Sequence, residues 1–211
     1  MDVTDHEPLR VLLLGIGNVL WADEGFGVRT VEHLHRHYRF PANVRLLDGG
    51  TQGLYLLEHV QDADLMIVFD AIDYGLPGGT LKVIRDADVP RFMGAKKMSL
   101  HQAGFEEVLS VAELTGRLPP HLTLIGVQPV ELEDYGGSLR PAVKAQIEPA
   151  IRRALDCLEA FGIAFDERVE PLPADAGLTG RELDIESYEA SRPDAEQAFR
   201  HGDIRFLCPG S

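Results

Sequence analysis

Three residues able to hold a metal ion or move a proton stand just beyond predicted secondary-structure elements. Glu24 follows the glycines of Gly15-Ile16-Gly17, Asp70 closes the apolar run Asp64–Asp70, and His101 lies in Met98-Ser99-Leu100-His101-Gln102, ahead of a predicted helix. Two carboxylates and an imidazole make a three-point site for a divalent metal with positions left open. In an open α/β sheet the working residues gather beyond the carboxyl ends of the strands. Glu24, Asp70 and His101 are therefore candidates to converge on one rim. Each also has a plain structural reading: an acid at a helix start caps it, a strand-terminal Asp turns the chain, and a lone His sits on a surface.

Other constellations are weaker. Gly15-Ile16-Gly17 begins a dinucleotide fingerprint, with Asp48 placed to bind a ribose, but position 20 is Leu where the third glycine belongs. Asp23 and Glu24 also fall where the helix should receive phosphate, and their charge opposes the helix dipole's attraction for an anion. Asp23 reads as the N-cap of the following helix. Asp73-Tyr74-Gly75 reads as a turn. His33 and His37 are one helical turn apart and could chelate, but the face they share reads as solvated. No G-x-S-x-G nucleophile motif occurs. Cys157 falls among Ile151, Leu155 and Leu158 as a packing residue, and Cys208 has no base near it in sequence.

The elements that must position these groups alternate. Strands are expected at Arg10–Gly17, Val44–Leu47, Asp64–Asp70, Thr80–Ile84 and Leu122–Val127. Helices are expected from Asp23 to Tyr38, over Gln52–Val60, over Phe105–Leu114, and over Pro141–Phe161 with a kink or restart at Pro149. Continuous apolar strands alternating with helices predict an α/β three-layer sandwich, a twisted, mostly parallel five-stranded sheet with helices on both faces. From Phe165 the chain becomes acidic and Pro-containing, without a sustained period. Residues 1–164 thus read as one α/β domain and residues 165–211 as a flexible extension, with at best a short helix near Asp194–Phe199.

Composition narrows the function classes. The 211-residue chain carries 20 Lys and Arg against 34 Asp and Glu, net −14. That excludes a basic footprint for nucleic acid or anionic lipid. Of these charges, 11 acidic and 5 basic residues fall after position 164. Two cysteines cannot build a disulfide scaffold or a thiolate zinc site. The acidic start and the lack of a membrane-length apolar run lead to the expectation of a soluble, cytoplasmic protein. A monomer is expected, since no large apolar stripe is left over.

In sequence order, GIGNVLWADEGFGVR at 15–29, DGGTQGLYLL at 48–57, VFDAIDYGLPGGTLK at 68–82, MSLHQ at 98–102, IGVQP at 125–129 and SLRPAV at 138–143 resemble the hydrogenase maturation proteases. The resemblance covers Arg10–Ile163. It implies a twisted, mostly parallel five-stranded α/β fold. It also implies an endopeptidase that removes a C-terminal peptide from the [NiFe]-hydrogenase large-subunit precursor after nickel insertion. The family's metal ligands match Glu24, Asp70 and His101, which the resemblance makes the metal-binding and catalytic residues. The implied nickel arrives with the substrate and is not a resident cofactor. Asp48 and Gly49-Gly50-Thr51 are candidates to line the same cleft. Hydrogenase assembly factors are possible further partners. A nickel-binding assembly factor without proteolysis and a nucleotide-binding module remain the competing classes.

Overall fold

The computed structural model describes residues 7–93 and 100–191. Five strands form the central sheet: β1 (Val11–Ile16), β3 (Val44–Gly50), β4 (Leu65–Ala71), β5 (Leu81–Arg85) and β6 (His121–Val127). Their order is β3-β1-β4-β6-β5. The first four in that order run parallel, and edge strand β5 is antiparallel to β6. β1 and β4 are buried at every position. Strands covered on both faces need apolar residues throughout, which is why each reads as an unbroken apolar run.

Alternation of side chains along the strands divides the core in two. On one face Val11, Leu13, Leu65, Ile67 and Phe69 pack against α1 (Phe26–His37) and α6 (Ile147–Ala160). On the other, Leu12, Leu14, Met66 and Val68 pack against α2 (Leu57–Gln61), α3 (Asp88–Met93) and α4 (Leu100–Leu114). This is the expected three-layer arrangement. No helix of the described residues is long and apolar enough to cross a membrane.

Two local expectations change, and a third, the restart near Pro149, is met. The helix expected from Asp23 begins at Phe26, after a 3-10 turn at Ala22–Gly25. The helix expected over Gln52–Val60 splits into a 3-10 turn at Gly53–Leu56 and α2. The long C-terminal helix breaks into α5 (Pro141–Lys144) and α6, a restart just ahead of Pro149, whose ring nitrogen cannot donate to the preceding turn.

The sequence reading makes residues 165–211 a flexible extension. Its described part, residues 165–191, instead lies along α1. β7 (Asp166–Glu167) pairs antiparallel with β2 (Tyr38–Arg39), and α7 (Ile185–Ser191) follows two short 3-10 turns. Glu32 Oε2 accepts hydrogen bonds from Leu178 N (2.8 Å) and Thr179 N (3.1 Å). Arg36 pairs with the buried Asp184 at 2.6 Å. Arg29 donates to the Leu183 carbonyl and lies over the Tyr188 ring. Such contacts are polar and irregular, so they leave no hydrophobic period to read. The short helix expected near Asp194–Phe199 lies outside the described residues.

The His33/His37 face lies against Glu148 of α6, and the neighbouring His35 meets the same segment. The two rings stack at 3.8 Å, His33 pairs with Glu148 at 2.9 Å, and His35 meets the Ala176 carbonyl. That face is half-buried rather than solvated.

Glycine decides how α1 meets the sheet. A Cβ on Gly27 would fall inside the contact distance of the Phe69 and Ile16 carbonyl oxygens, and one on Gly15 inside that of the Gly27 carbonyl. Backbone therefore touches backbone where α1 starts across the ends of β1 and β4. Gly27→Ala is expected to destabilise the protein by about 3 kcal/mol or more, because the obstructing atoms are backbone and cannot rotate away. Urea denaturation checks this, and a stability within error of the parent would refute the tight crossing.

Candidate active site

The crossing sets the geometry of the first two candidates. Gly17, at φ +130°, lies so close to the Glu24 carbonyl that no side chain fits at position 17. Glu24 is thereby held at the end of β1. Three residues later Gly27 rests on the carbonyl of Phe69, the residue before Asp70. Strands β1 and β4 are neighbours, so Glu24 and Asp70 occupy adjacent strand ends on one rim.

Asp70 is 1% exposed and accepts a hydrogen bond from Ala71 N at 2.7 Å. Glu24 is half-buried, and desolvation pushes its carboxyl up to about 7 from an ordinary 4.5. Burial also pushes the nearby Tyr74 phenol up, with the Asp70 charge adding to it. Tyr74 therefore stays neutral across the physiological range.

His101 reaches this rim by a different route from the one its sequence position suggests. It follows β5, but β5 is antiparallel, so its carboxyl end points to the opposite rim. Placement at the Glu24 rim comes instead from α4, whose last turn leads into the start of β6 and whose first turn therefore lies at the other end of the sheet. His101 lies in that first turn, and nearby Gly104 sits against Gly53, just beyond β3. The backbone of His101 is thus at the Glu24 rim; its side chain lies outside the described part of the structure. Among the described residues no three His, Cys, Asp or Glu side chains form a metal-binding group.

Asp23 does not cap a helix. Fully buried, it accepts from Val130 N and Glu131 N on Oδ2 (both 2.8 Å) and from Arg140 N on Oδ1 (2.7 Å). Its own N–H donates to the Glu131 carbonyl at 3.1 Å. One carboxylate therefore ties the loop after β1 to the loop after β6. Gln128 does a similar job on the other side. Its Oε1 accepts from Tyr74 N (2.7 Å) and Leu76 N (3.1 Å), and its Nε2 donates to Asp73 Oδ1 (3.0 Å), closing the turn after β4. Sequence reasoning misses both roles. The available signal is a polar residue at the end of a buried strand or beside a glycine loop.

Asp48 lies near the end of β3, the neighbour of β1. Burial raises its carboxyl, partly offset by the hydrogen bond from Gly50 N to Oδ1 (2.9 Å). It forms a local turn over Gly49-Gly50, the structural alternative for that loop. Cys157 is buried beside Thr123, a packing role as expected.

Comparison with known proteins decides the family. Residues 28–157 match the hydrogenase maturation protease family. The chain belongs to the hydrogenase maturation proteases. The hydrogenase expression/formation protein HoxM of Azotobacter vinelandii is 60% identical over 204 residues, 94% of each chain. The hydrogenase-maturating endopeptidase HybD of Escherichia coli superposes with a TM-score of 0.72 at 42% identity, covering 76% of this chain and 98% of its own. The [NiFe] hydrogenase maturation protease HybD of Thermococcus kodakarensis gives a TM-score of 0.59 at 26% identity, over 71% of this chain and 99% of its own. This maturation protease is thus a peptide-bond hydrolase with the α/β fold of its family.

The coverages differ in an informative way. The match to HoxM leaves too little of the chain unmatched to omit residues 165–211. The match to E. coli HybD uses nearly all of that enzyme yet leaves about a quarter of this chain over.

Folded Glu24 holds its proton more tightly than the unfolded chain does. Stability is therefore at its fullest below about 4.5 and falls as pH rises toward 7. Glu24→Gln, which cannot ionise, should be more stable than the parent at about pH 8, by the order of 1 kcal/mol after allowance for partial exposure. The gap should close by about pH 4.5. Urea denaturation at both pH values measures it, and equal stabilities at the higher pH would show that the carboxyl is not desolvated.

Proposed function

We propose that this protease removes the C-terminal peptide of a [NiFe]-hydrogenase large-subunit precursor once nickel is in place, and that it reads the substrate-borne nickel with Glu24, Asp70 and His101. The observation that carries this is the α1 crossing, which holds Glu24 and Asp70 on adjacent strand ends, with the start of α4 brought to the same rim.

The donor types suit a transient grip. Carboxylate and imidazole are harder ligands than thiolate, so such a site leaves nickel to the softer ligands of its carrier. A metal held at this rim fixes the register of the scissile bond, which places the bond for attack. The family names of the E. coli and T. kodakarensis relatives support the proteolytic half of the proposal. The half-buried Glu24 supports the metal-reading half. Pushed up to about 7, its carboxyl is partly protonated at neutral pH, and an arriving cation displaces that proton.

Three results test the proposal. Asp70→Asn should fold normally by circular dichroism and lose precursor processing. Purified parent protein should shorten the nickel-loaded precursor and leave the nickel-free precursor intact, as read by mass spectrometry. Equal cleavage of both forms would overturn nickel reading and keep the protease. Normal processing by Asp70→Asn would remove Asp70 from the site. Processing of the loaded precursor should also rise with pH through about 7, because only the ionised Glu24 binds a cation; a flat profile would count against Glu24 as a ligand.

A further inference from the structure

Residues 166–191 contact two elements joined to the loop that carries Glu24. On one side, Leu178, Thr179, Leu183 and Asp184 engage Glu32, Arg29 and Arg36 of α1, the helix that Glu24 leads into. On the other, Glu189 of α7 accepts from Ser138 Oγ at 2.7 Å and pairs with Lys144 Nζ at 2.8 Å. Ser138 is buried, and its neighbours are the residues that grip the Glu24 loop. Gly137 bridges to Trp21, and the Arg140 N–H is one of the donors to Asp23. The chain of contacts is short: Glu189 to Ser138, Ser138 to the Gly137–Arg140 segment, and that segment to Trp21 and Asp23.

We propose that the segment 166–191 is a strap that positions the Trp21–Glu24 loop, with Glu189 as its positioning residue. Its link to catalysis rests on the reading of Glu24 as a site residue. The mechanical claim does not. Without Glu189, the Gly137–Arg140 segment keeps its bonds to Asp23, the Arg140–Asp134 pair and the buried Leu139 but loses its tie to the strap at Ser138, and the loop gains freedom. A group that must meet a metal is sensitive to such slack, since small misplacements are costly in rate. The acidic charge of this segment therefore acts locally, on Ser138, Lys144 and Arg36, and is not only a solubilising coat.

The only tryptophan in the sequence, Trp21, is the reporter. It lies in the loop itself, exposed, with its ring edge-to-face on Tyr135 at 5.3 Å. In the full chain, Glu189→Ala should red-shift Trp21 emission and increase its quenching by acrylamide. Ser138→Ala, which cuts the same link from the other side, should do so too. Glu189→Gln keeps an oxygen acceptor for Ser138 and should leave Trp21 as in the parent. Arg10→Ala breaks the distant Arg10–Asp64 contacts and should leave Trp21 unchanged whatever it does to melting temperature. Processing of nickel-loaded precursor should fall roughly tenfold in Glu189→Ala and recover in Glu189→Gln.

An unchanged Trp21 signal in Glu189→Ala and Ser138→Ala overturns the proposal, whatever the activity. So does an equal change in Glu189→Ala and Glu189→Gln, which would place the effect in the Lys144 ion pair and not in the hydrogen bond to Ser138. If parent protein fails to process any precursor, the functional reading fails alone, because the Trp21 measurement needs no substrate.

Discussion

The candidate site depends on one close approach: the start of α1 crosses the ends of β1 and β4 backbone against backbone. Gly27 against Phe69 and Ile16, Gly15 against Gly27, and Gly17 against Glu24 are three parts of the same contact. A side chain at any of them would lift the helix off the sheet. The lift would carry Glu24 away from Asp70, because Asp70 is fixed in the fully buried β4. In a Rossmann fold such glycines bring backbone amides toward a phosphate. Here the same closeness delivers a carboxylate, and the acidic loop makes the helix start unsuitable for an anion.

Closeness alone leaves a loop of several residues with conformational freedom, and Asp23 removes much of it. A buried carboxylate is costly unless its oxygens are satisfied. Asp23 receives three backbone N–H groups from residues 130, 131 and 140, so its burial cost is offset while two distant loops are joined. Glu24, its neighbour, has the opposite environment, in which desolvation raises the carboxyl. One side chain of the adjacent pair is thus committed to structure, and the other is left poised to change its charge.

Much of this is legible in the residues, and the remainder is not, for physical reasons. The strands follow from apolar runs because burial on both faces demands them. Glu24 and Asp70 follow from strand ends because parallel strands finish on one rim. The strand-end argument brings His101 to the same rim as Glu24, but for a mistaken reason. A five-residue edge strand does not encode its direction, and only the antiparallel pairing of β5 shows that His101 comes to the rim as the start of α4. Asp23 looks like a cap because its true partners lie more than 100 residues away in sequence. The placement of the segment after Ile163 is hard to read because most of its contacts are ion pairs and hydrogen bonds, and its apolar contacts, through Phe165, Leu178 and Ile185, are too scattered to show a period.

That last difference changes what the acidic composition means. A chain of net −14 resists compaction through self-repulsion unless its charges are placed against opposite ones. The segment 166–191 does this placing. Asp184 meets Arg36, Glu189 meets the exposed Lys144, and Tyr188 stacks under Arg29, so the two arginines withdrawn from water find partners. For Arg29 the partner matters most, since burial lowers the affinity of its guanidinium for the proton and the surrounding acids restore part of it. Exposed ion pairs contribute little, but Arg36 and Asp184 are largely withdrawn from water, where removing one partner strands a charge. The segment is held to α1 by contacts of that second kind, and α1 is the helix on whose placement Glu24 depends.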